Sequence, residues 1–166
     1  MKEKFEFKVI EVKRVAKAVE GGKRIKVRAL VVVGNLKGKV GAAVSKGDDI
    51  ADAIMKARRL AEKNALEVPI VNGTVPFEIE NKFSATRILL KPAKPGKGII
   101  AGSSVRTVLS LAGYTDVSAK ILGVTKNPLV NTLATIKTLE KLKKIYEKKL
   151  KLKNANSSNK IQTQEK

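Results

Sequence analysis

Apolar and polar positions alternate from Phe5 to Val19, with Phe5, Phe7 and Val9 on one side and Glu6 and Lys8 on the other, which predicts a first strand. Glu20-Gly21-Gly22 reads as a tight turn, since paired glycines accept positive φ. A second strand follows from Lys23 to Val33, then a turn at Gly34-Asn35-Leu36-Lys37-Gly38 and a return strand through Val44. In the outer half of the second strand the period of two sets Arg24, Lys26 and Arg28 against Ile25, Val27 and Ala29. Leu30 to Val33 is apolar on both faces, so this strand runs from a wet basic end into a core. Gly47-Asp48-Asp49 is a helix N-cap signal whose acids suit the helix dipole. Ile50, Ala53, Ile54, Ala57, Leu60 and Ala61 then recur at helical spacing to about Glu67, with the helix covering one sheet face.

The second half has a different rhythm. Pro69 to Gly73 is a turn or linker. Thr74–Glu80 and Ala85–Lys91 read as two further strands, and Pro92 to Ser104 as a loop with two prolines, three glycines and two lysines. Ser103 or Ser104 is expected to cap a short helix with Val105, Val108, Leu109 and Ala112 inward and Gly113 at its end. Val117–Gly123 is a last strand, and Asn127-Pro128 opens a final helix with Leu129, Val130, Leu133, Ile136 and Leu139 as its apolar stripe. Past Leu142 the pattern fades; residues 143–166 hold eight lysines against two glutamates, a stretch expected to be helical at first and disordered from about Asn154. The predicted class is α+β (α/β in the broad sense). It comprises an N-terminal unit over residues 1–69 with three strands and one helix, a C-terminal unit over 70–142 with mixed strands and two helices, and the lysine-rich tail.

Charge changes the picture most. The 166 residues carry 35 Lys+Arg against 15 Asp+Glu, a formal net charge of +20. Such self-repulsion calls for an anionic partner, with nucleic acid ahead of an anionic membrane. The chain has no Cys and no His, which removes disulfides, thiol and Ser-His chemistry and most zinc sites. No long apolar run and no apolar leader follow Met1, so the expectation is a soluble, cytoplasmic protein without a membrane role. No cofactor and no catalytic residue are expected.

The glycine loops invite comparison with nucleotide-binding motifs and match none. Gly34 to Val40 is one residue short of a P-loop and puts Val40 where a hydroxyl belongs. Gly96-x-Gly98-x-x-x-Gly102 with Asp116 twenty positions on resembles a dinucleotide fingerprint, but its two prolines break the strand-turn-helix run. A glycine-rich loop leading into a helix start can instead present N–H groups to an RNA phosphate, with Lys94, Lys97 and Arg106 nearby; the same glycines also suit a close-packed corner. Asp48, Asp49 and Asp52 suit a helix cap better than a metal site. With four Phe, two Tyr and no Trp, base-stacking readers fit poorly, whereas backbone recognition of double-helical RNA needs only cations and donors. Two other classes are weaker alternatives: an enzyme acting on RNA or a nucleotide, which needs clustered acids or a metal that the sequence does not show, and a partner-docking or membrane helix using Leu139, Leu142, Ile145, Tyr146 and Leu150.

Two blocks carry a family resemblance. GGKRIKVRALVVVGNLKGKVGAAVSKG with DIADAIMKARRLAEKN and VPIVNGT forms the first; LLKPAKPGKGIIAGSSVRTVLSLAGYTDV with KNPLVNTLATIKTL forms the second. Together they resemble the bacterial-type small-subunit ribosomal protein five family over about residues 5–142. The resemblance implies an N-terminal domain similar to double-stranded-RNA-binding domains. It also implies binding to 16S rRNA, neighbouring small-subunit proteins four and eight, mRNA nearby at its entry region, and an influence on decoding accuracy; no homo-oligomer is expected. Gly21, Gly22, Lys23 and Arg24 match the family's rRNA-reaching hairpin loop; Gly96, Gly98, Ile99, Ile100, Ala101 and Gly102 match its central glycine loop, and Arg106 the arginine of the next helix. Ile25 and Val27 stand where the family usually has aromatics, implying aliphatic packing under the hairpin. The expected RNA-binding set is Gly21, Gly22, Lys23, Arg24, Lys26, Arg28, Lys37, Lys39, Lys46, Lys94, Lys97, Gly98, Ser103, Ser104, Arg106, Lys126 and Asn127.

Overall fold

A computed structural model describes residues 4–162 of the chain, with side chains to residue 152. The first half is β1 (Glu6–Val19), β2 (Gly22–Gly34), β3 (Lys39–Gly47), α1 (Ile50–Lys63) and β4 (Leu66–Glu67). The second is β5 (Ile79–Phe83), β6 (Thr86–Pro92), β7 (Ile99–Ile100), α2 (Ser103–Ala112), β8 (Val117–Ile121) and α3 (Pro128–Gln162). The class is α+β, with two sheets and three helices among the described residues.

The first sheet is antiparallel with order β1-β2-β3-β4, so it has four strands where three were expected. The extra strand comes from the end of the predicted helix: α1 stops at Lys63, and Leu66 and Glu67 pair with Val40 and Lys39. Leu66 is half-buried against the core, which favours the sheet over another helical turn. Opening α1, Asp49 is the N-cap residue but makes no side-chain cap bond; only its carbonyl accepts the Ala53 N–H.

The second sheet has order β5-β6-β8-β7, with β5-β6 and β6-β8 antiparallel and β8-β7 parallel. Its first strand begins at Ile79, five residues later than Thr74, and runs to Phe83. Pro76 has no N–H to donate to a ladder, so Val75 enters the core from a loop and pairing starts only opposite Leu90. The turn therefore falls at Ser84-Ala85, and Asn81 to Phe83 belong to the strand.

Both faces of the inner half of β2 are covered. Val27, Ala29, Val31 and Val33 pack on Ala53, Ala57 and Ala61 of α1. Val32 and Val40 face the other way and join Val105, Val108, Leu109 and Leu111 of α2 and Leu139 and Leu142 of α3. That two-sided burial is why Leu30–Val33 carries no polar residue. The Gly34–Gly38 turn seals the joint: the Leu36 N–H donates to the Leu111 carbonyl at 3.1 Å and the Gly38 N–H to the Ala112 carbonyl at 2.9 Å. Tyr114 Oη, from a buried ring, donates to the Pro69 carbonyl at 2.9 Å and ties the end of α2 to the linker.

Helix α3 buries a different face from the one its aliphatic residues mark. Asn131, Thr132, Ala134, Thr135, Thr138, Leu139 and Leu142 are buried, whereas Leu129, Val130, Leu133 and Ile136 are only half-buried. The hydroxyls of Thr132, Thr135 and Thr138 donate to the carbonyls four residues back at 2.7 to 2.8 Å, which hides their polarity from the core. The Thr86 hydroxyl donates to Asn131 Oδ1 at 2.6 Å, so the buried amide is also partnered. The helical backbone continues to Gln162, past Asn154, where the sequence predicts disorder; Lys and Leu, both good helix formers, recur closely only up to Lys153, and the Asn- and Ser-rich residues beyond do not themselves favour a helix.

Candidate nucleic-acid interface

The third strand ends at Gly47, opposite Val27, so the β1-β2 hairpin beyond that point has no neighbour on its β3 side. The pairs from Val15↔Lys26 to Val19↔Gly22 form an arm about 17 Å long at ~3.3 Å per residue. On the arm's face turned away from α1 the ladder aligns Lys13 with Arg28, Val15 with Lys26 and Lys17 with Arg24, and Lys46 of β3 lies opposite Arg28. Farther in, the same face carries Val32 and is covered by α2 and α3; in the arm it is bare. An open hollow there is lined by Val15, Ala16, Lys17, Arg24, Lys26 and Lys46.

These cations differ in how far they are already neutralised. Glu11 accepts from Lys13 at 2.8 Å and Arg28 at 3.2 Å, and Lys13 first, then Arg28, hold its carboxyl below the usual range. Lys26 meets Asp48 at 3.1 Å, an exposed pair of little strength that a phosphate can displace. Lys17, Arg24 and Lys46 have no acidic partner within 4.0 Å among the described residues. Lys17 and Lys13 were absent from the sequence-based set. The signal was in the pattern: once β1 and β2 are paired in register, the alternating lysines of β1 fall beside the arginines of β2.

The other predicted residues are spread over the molecule. Gly21 and Gly22 form the arm's tip, with Gly21 at φ 85°. Lys23 lies on the opposite face, in register with Ala18. Ile25 shares that face and is 62% exposed, so nothing packs on it as expected, whereas Val27 is buried against α1. Lys37 and Lys39 sit at the far end of the sheet, in and after the turn that joins the two halves, and Lys39 reaches Glu67 at 3.4 Å. Ser103 and Ser104 are the first residues of α2, which is capped by Gly102 without a side-chain bond; Ser104 is buried and Arg106 exposed. Lys126 is exposed in the loop before α3, where Asn127 Oδ1 accepts the Leu129 N–H at 3.1 Å as the helix cap.

The glycine loop between β6 and β7 holds an anion of its own. Asp116 is buried; its Oδ1 accepts the Gly98 N–H at 2.8 Å and its Oδ2 the Thr115 hydroxyl at 3.0 Å. The Gly98 N–H, then the Thr115 hydroxyl and the Gly96 and Lys97 N–H groups, hold this carboxyl below the usual aspartate range against burial, which raises it. The Gly98 N–H is thus turned inward and taken by the chain's own carboxylate, and Lys94 and Lys97 remain exposed on the outside. Asp116, the residue that completes the dinucleotide-like spacing, is spent on its own loop. Asp48 and Asp52 go to Lys26 and Lys56, and no group of three potential metal ligands exists among the described residues. No described helix is long and apolar enough to cross a membrane.

Residues 5–69 match the family described as "Ribosomal protein S5, N-terminal domain", and residues 81–152 its C-terminal counterpart. The "Small ribosomal subunit protein uS5" of Thermotoga neapolitana is 48% identical over 140 residues, covering 84% of this chain and 78% of that protein. The protein of the same name from Thermus thermophilus is 45% identical over 139 residues, covering 84% and 85%. Both family domains are present in order over a shared core, and the chain belongs to the ribosomal protein S5 family.

Proposed function

We propose that this chain is a structural, non-catalytic component of the small ribosomal subunit that grips 16S rRNA with its hairpin arm. The observation that carries the reading is the bare cationic face of the arm, where Lys17, Arg24 and Lys46 have no acidic partner within 4.0 Å among the described residues. A one-layer strand pair with cations and few aromatics suits contact with the phosphates of a double helix rather than base reading. In this reading residues 1–69 work as a unit similar to double-stranded-RNA-binding domains. Residues 70–142 form the second unit, whose Lys94, Lys97, Arg106 and Lys126 make further phosphate contacts. The family resemblance supports placement beside small-subunit proteins four and eight, near the mRNA entry region, with an influence on decoding accuracy.

Reconstitution of small subunits with a Lys17→Glu, Arg24→Glu, Lys46→Glu chain tests this. The variant is expected to enter subunits with affinity reduced at least about tenfold, given the weight of phosphate contacts in such binding. Unreduced incorporation would refute the arm's role.

A further inference from the structure

Among the described residues Asp116 is the one buried carboxylate, and its hydrogen-bond partners are neither lysine nor arginine. Its backbone is fixed on the linker side, where the N–H groups of Thr115 and Asp116 both donate to the Gly73 carbonyl at 2.9 and 3.1 Å. From that anchor the carboxylate reaches across to the glycine loop and takes the Gly98 N–H, while the Val117 N–H returns to the Gly98 carbonyl at 3.3 Å. Gly96 and Gly98 adopt φ of 85° and 73°, a tight glycine turn that brings the Gly98 N–H onto the carboxylate. A backbone donor that an outside phosphate could otherwise use is therefore taken by a side chain of the same chain. The loop is therefore shaped before any RNA arrives, and the Lys97 N–H to Lys94 carbonyl bond at 3.2 Å closes it.

We propose that Asp116 is a positioning residue for RNA binding: an internal anion that holds the Lys94–Gly98 loop in shape so that Lys94 and Lys97 meet a backbone phosphate together. This rests on the reading of the protein as an rRNA binder. The loop's ordering entropy is met during folding, so binding does not have to supply it.

The sign of one substitution separates positioning from plain charge. Asp116→Ala raises the formal net charge from +20 to +21, and Coulomb attraction alone would tighten binding to RNA. Positioning requires the reverse. Binding of the full chain to a 16S rRNA fragment is measured against salt for wild type, Asp116→Ala, Asp116→Asn and Lys94→Ala/Lys97→Ala. Asp116→Ala is expected to bind more weakly, with a salt slope shallower by roughly 1 to 2 units, close to the double lysine variant. Asp116→Asn keeps an acceptor for the Gly98 N–H but loses the charge and the second acceptor that takes the Thr115 hydroxyl, so it is expected to bind more weakly than wild type with a slope between wild type and Asp116→Ala. If Asp116→Ala fails to fold, Asp116→Asn decides alone: binding tighter than wild type with an unchanged slope overturns the proposal, and weaker binding with an intermediate slope supports it. Wild-type-like or tighter binding by a folded Asp116→Ala, with the lysine variant still weakened, overturns Asp116's role only. An unchanged slope in the lysine variant instead removes the loop from the RNA contact and takes this proposal with it.

Discussion

Gly113 shows how a single residue couples the two halves. It closes α2 in the left-handed region at φ 98°, with its N–H on the Ser110 carbonyl and the Tyr114 N–H on Leu109, the bonding of a Schellman cap. A Cβ there would also run into the Leu36 carbonyl of the β2-β3 turn. Gly113→Ala is therefore expected to cost more than the roughly 1 to 2 kcal/mol of the backbone conformation alone, read as a lowered urea midpoint. Gly96→Ala has a similar φ and open space around it, so it should cost only that backbone amount. Equal losses at the two sites would contradict the close approach.

Acid sensitivity also belongs at this scale. Lys137, then Lys144, bond the Glu140 carboxylate at 2.9 Å each and pull its pKa from the ordinary 4.5 to about 2. Glu11 and Asp116 are lowered too. A depressed acid stabilises the fold above its unfolded pKa, and that contribution is lost as pH falls through the folded value. Stability is expected to decline from about pH 4.5 toward pH 2. Glu140 is partly exposed, so Glu140→Gln should lower stability at pH 6 by no more than about 1 kcal/mol. The gap to wild type in urea titrations should then close as pH nears 2; a gap that widens in acid would contradict the pairing.

At the scale of elements, the arm is separable from the fold. Both faces of its outer pairs are exposed, and the valines that anchor the hairpin all lie inward of Lys26. Replacing residues 16–25 by Asn-Gly, a two-residue hairpin turn, should shift Tm by no more than a few degrees, as expected when no core is lost. Affinity for 16S rRNA should fall steeply. A large drop in Tm on calorimetry would show that the arm supports the core. The arm was legible in the chain because a period of two with cations on one side leaves little choice of structure. The two-residue strands β4 and β7 were not, since a stretch so short has no period and is defined by its partner strand. The face of α3 was misread for a different reason: Thr135 and Thr138 count as polar in a sequence, and only the back-bonded helix makes them suitable for a core. The glycine loop reads in sequence as either a phosphate-binding loop or a close-packed corner, and that its Gly98 N–H goes to Asp116 depends on a contact spanning eighteen residues.

At the scale of the whole molecule, charge and architecture divide the labour. The core that runs from β2 through α2 to α3 makes one body of the two family domains, while a net charge of +20 sets the kind of partner. The salt bridges among the described residues involve mostly exposed side chains and leave that excess for an external anion. Total charge alone would make binding indifferent to where the cations lie. Place matters in the proposed function, where the arm's uncovered face carries the grip. The measurement that bears on it most directly is the slope of log affinity for a 16S rRNA fragment against log salt, for wild type and for Lys17→Ala/Arg24→Ala/Lys46→Ala. A steep wild-type line and a variant line shallower by roughly 2 to 3 units are expected, whereas replacing three exposed lysines outside both loops, such as Lys56, Lys63 and Lys82, should change the slope by less than about 1 unit. Equal slopes for the two triple variants would contradict it.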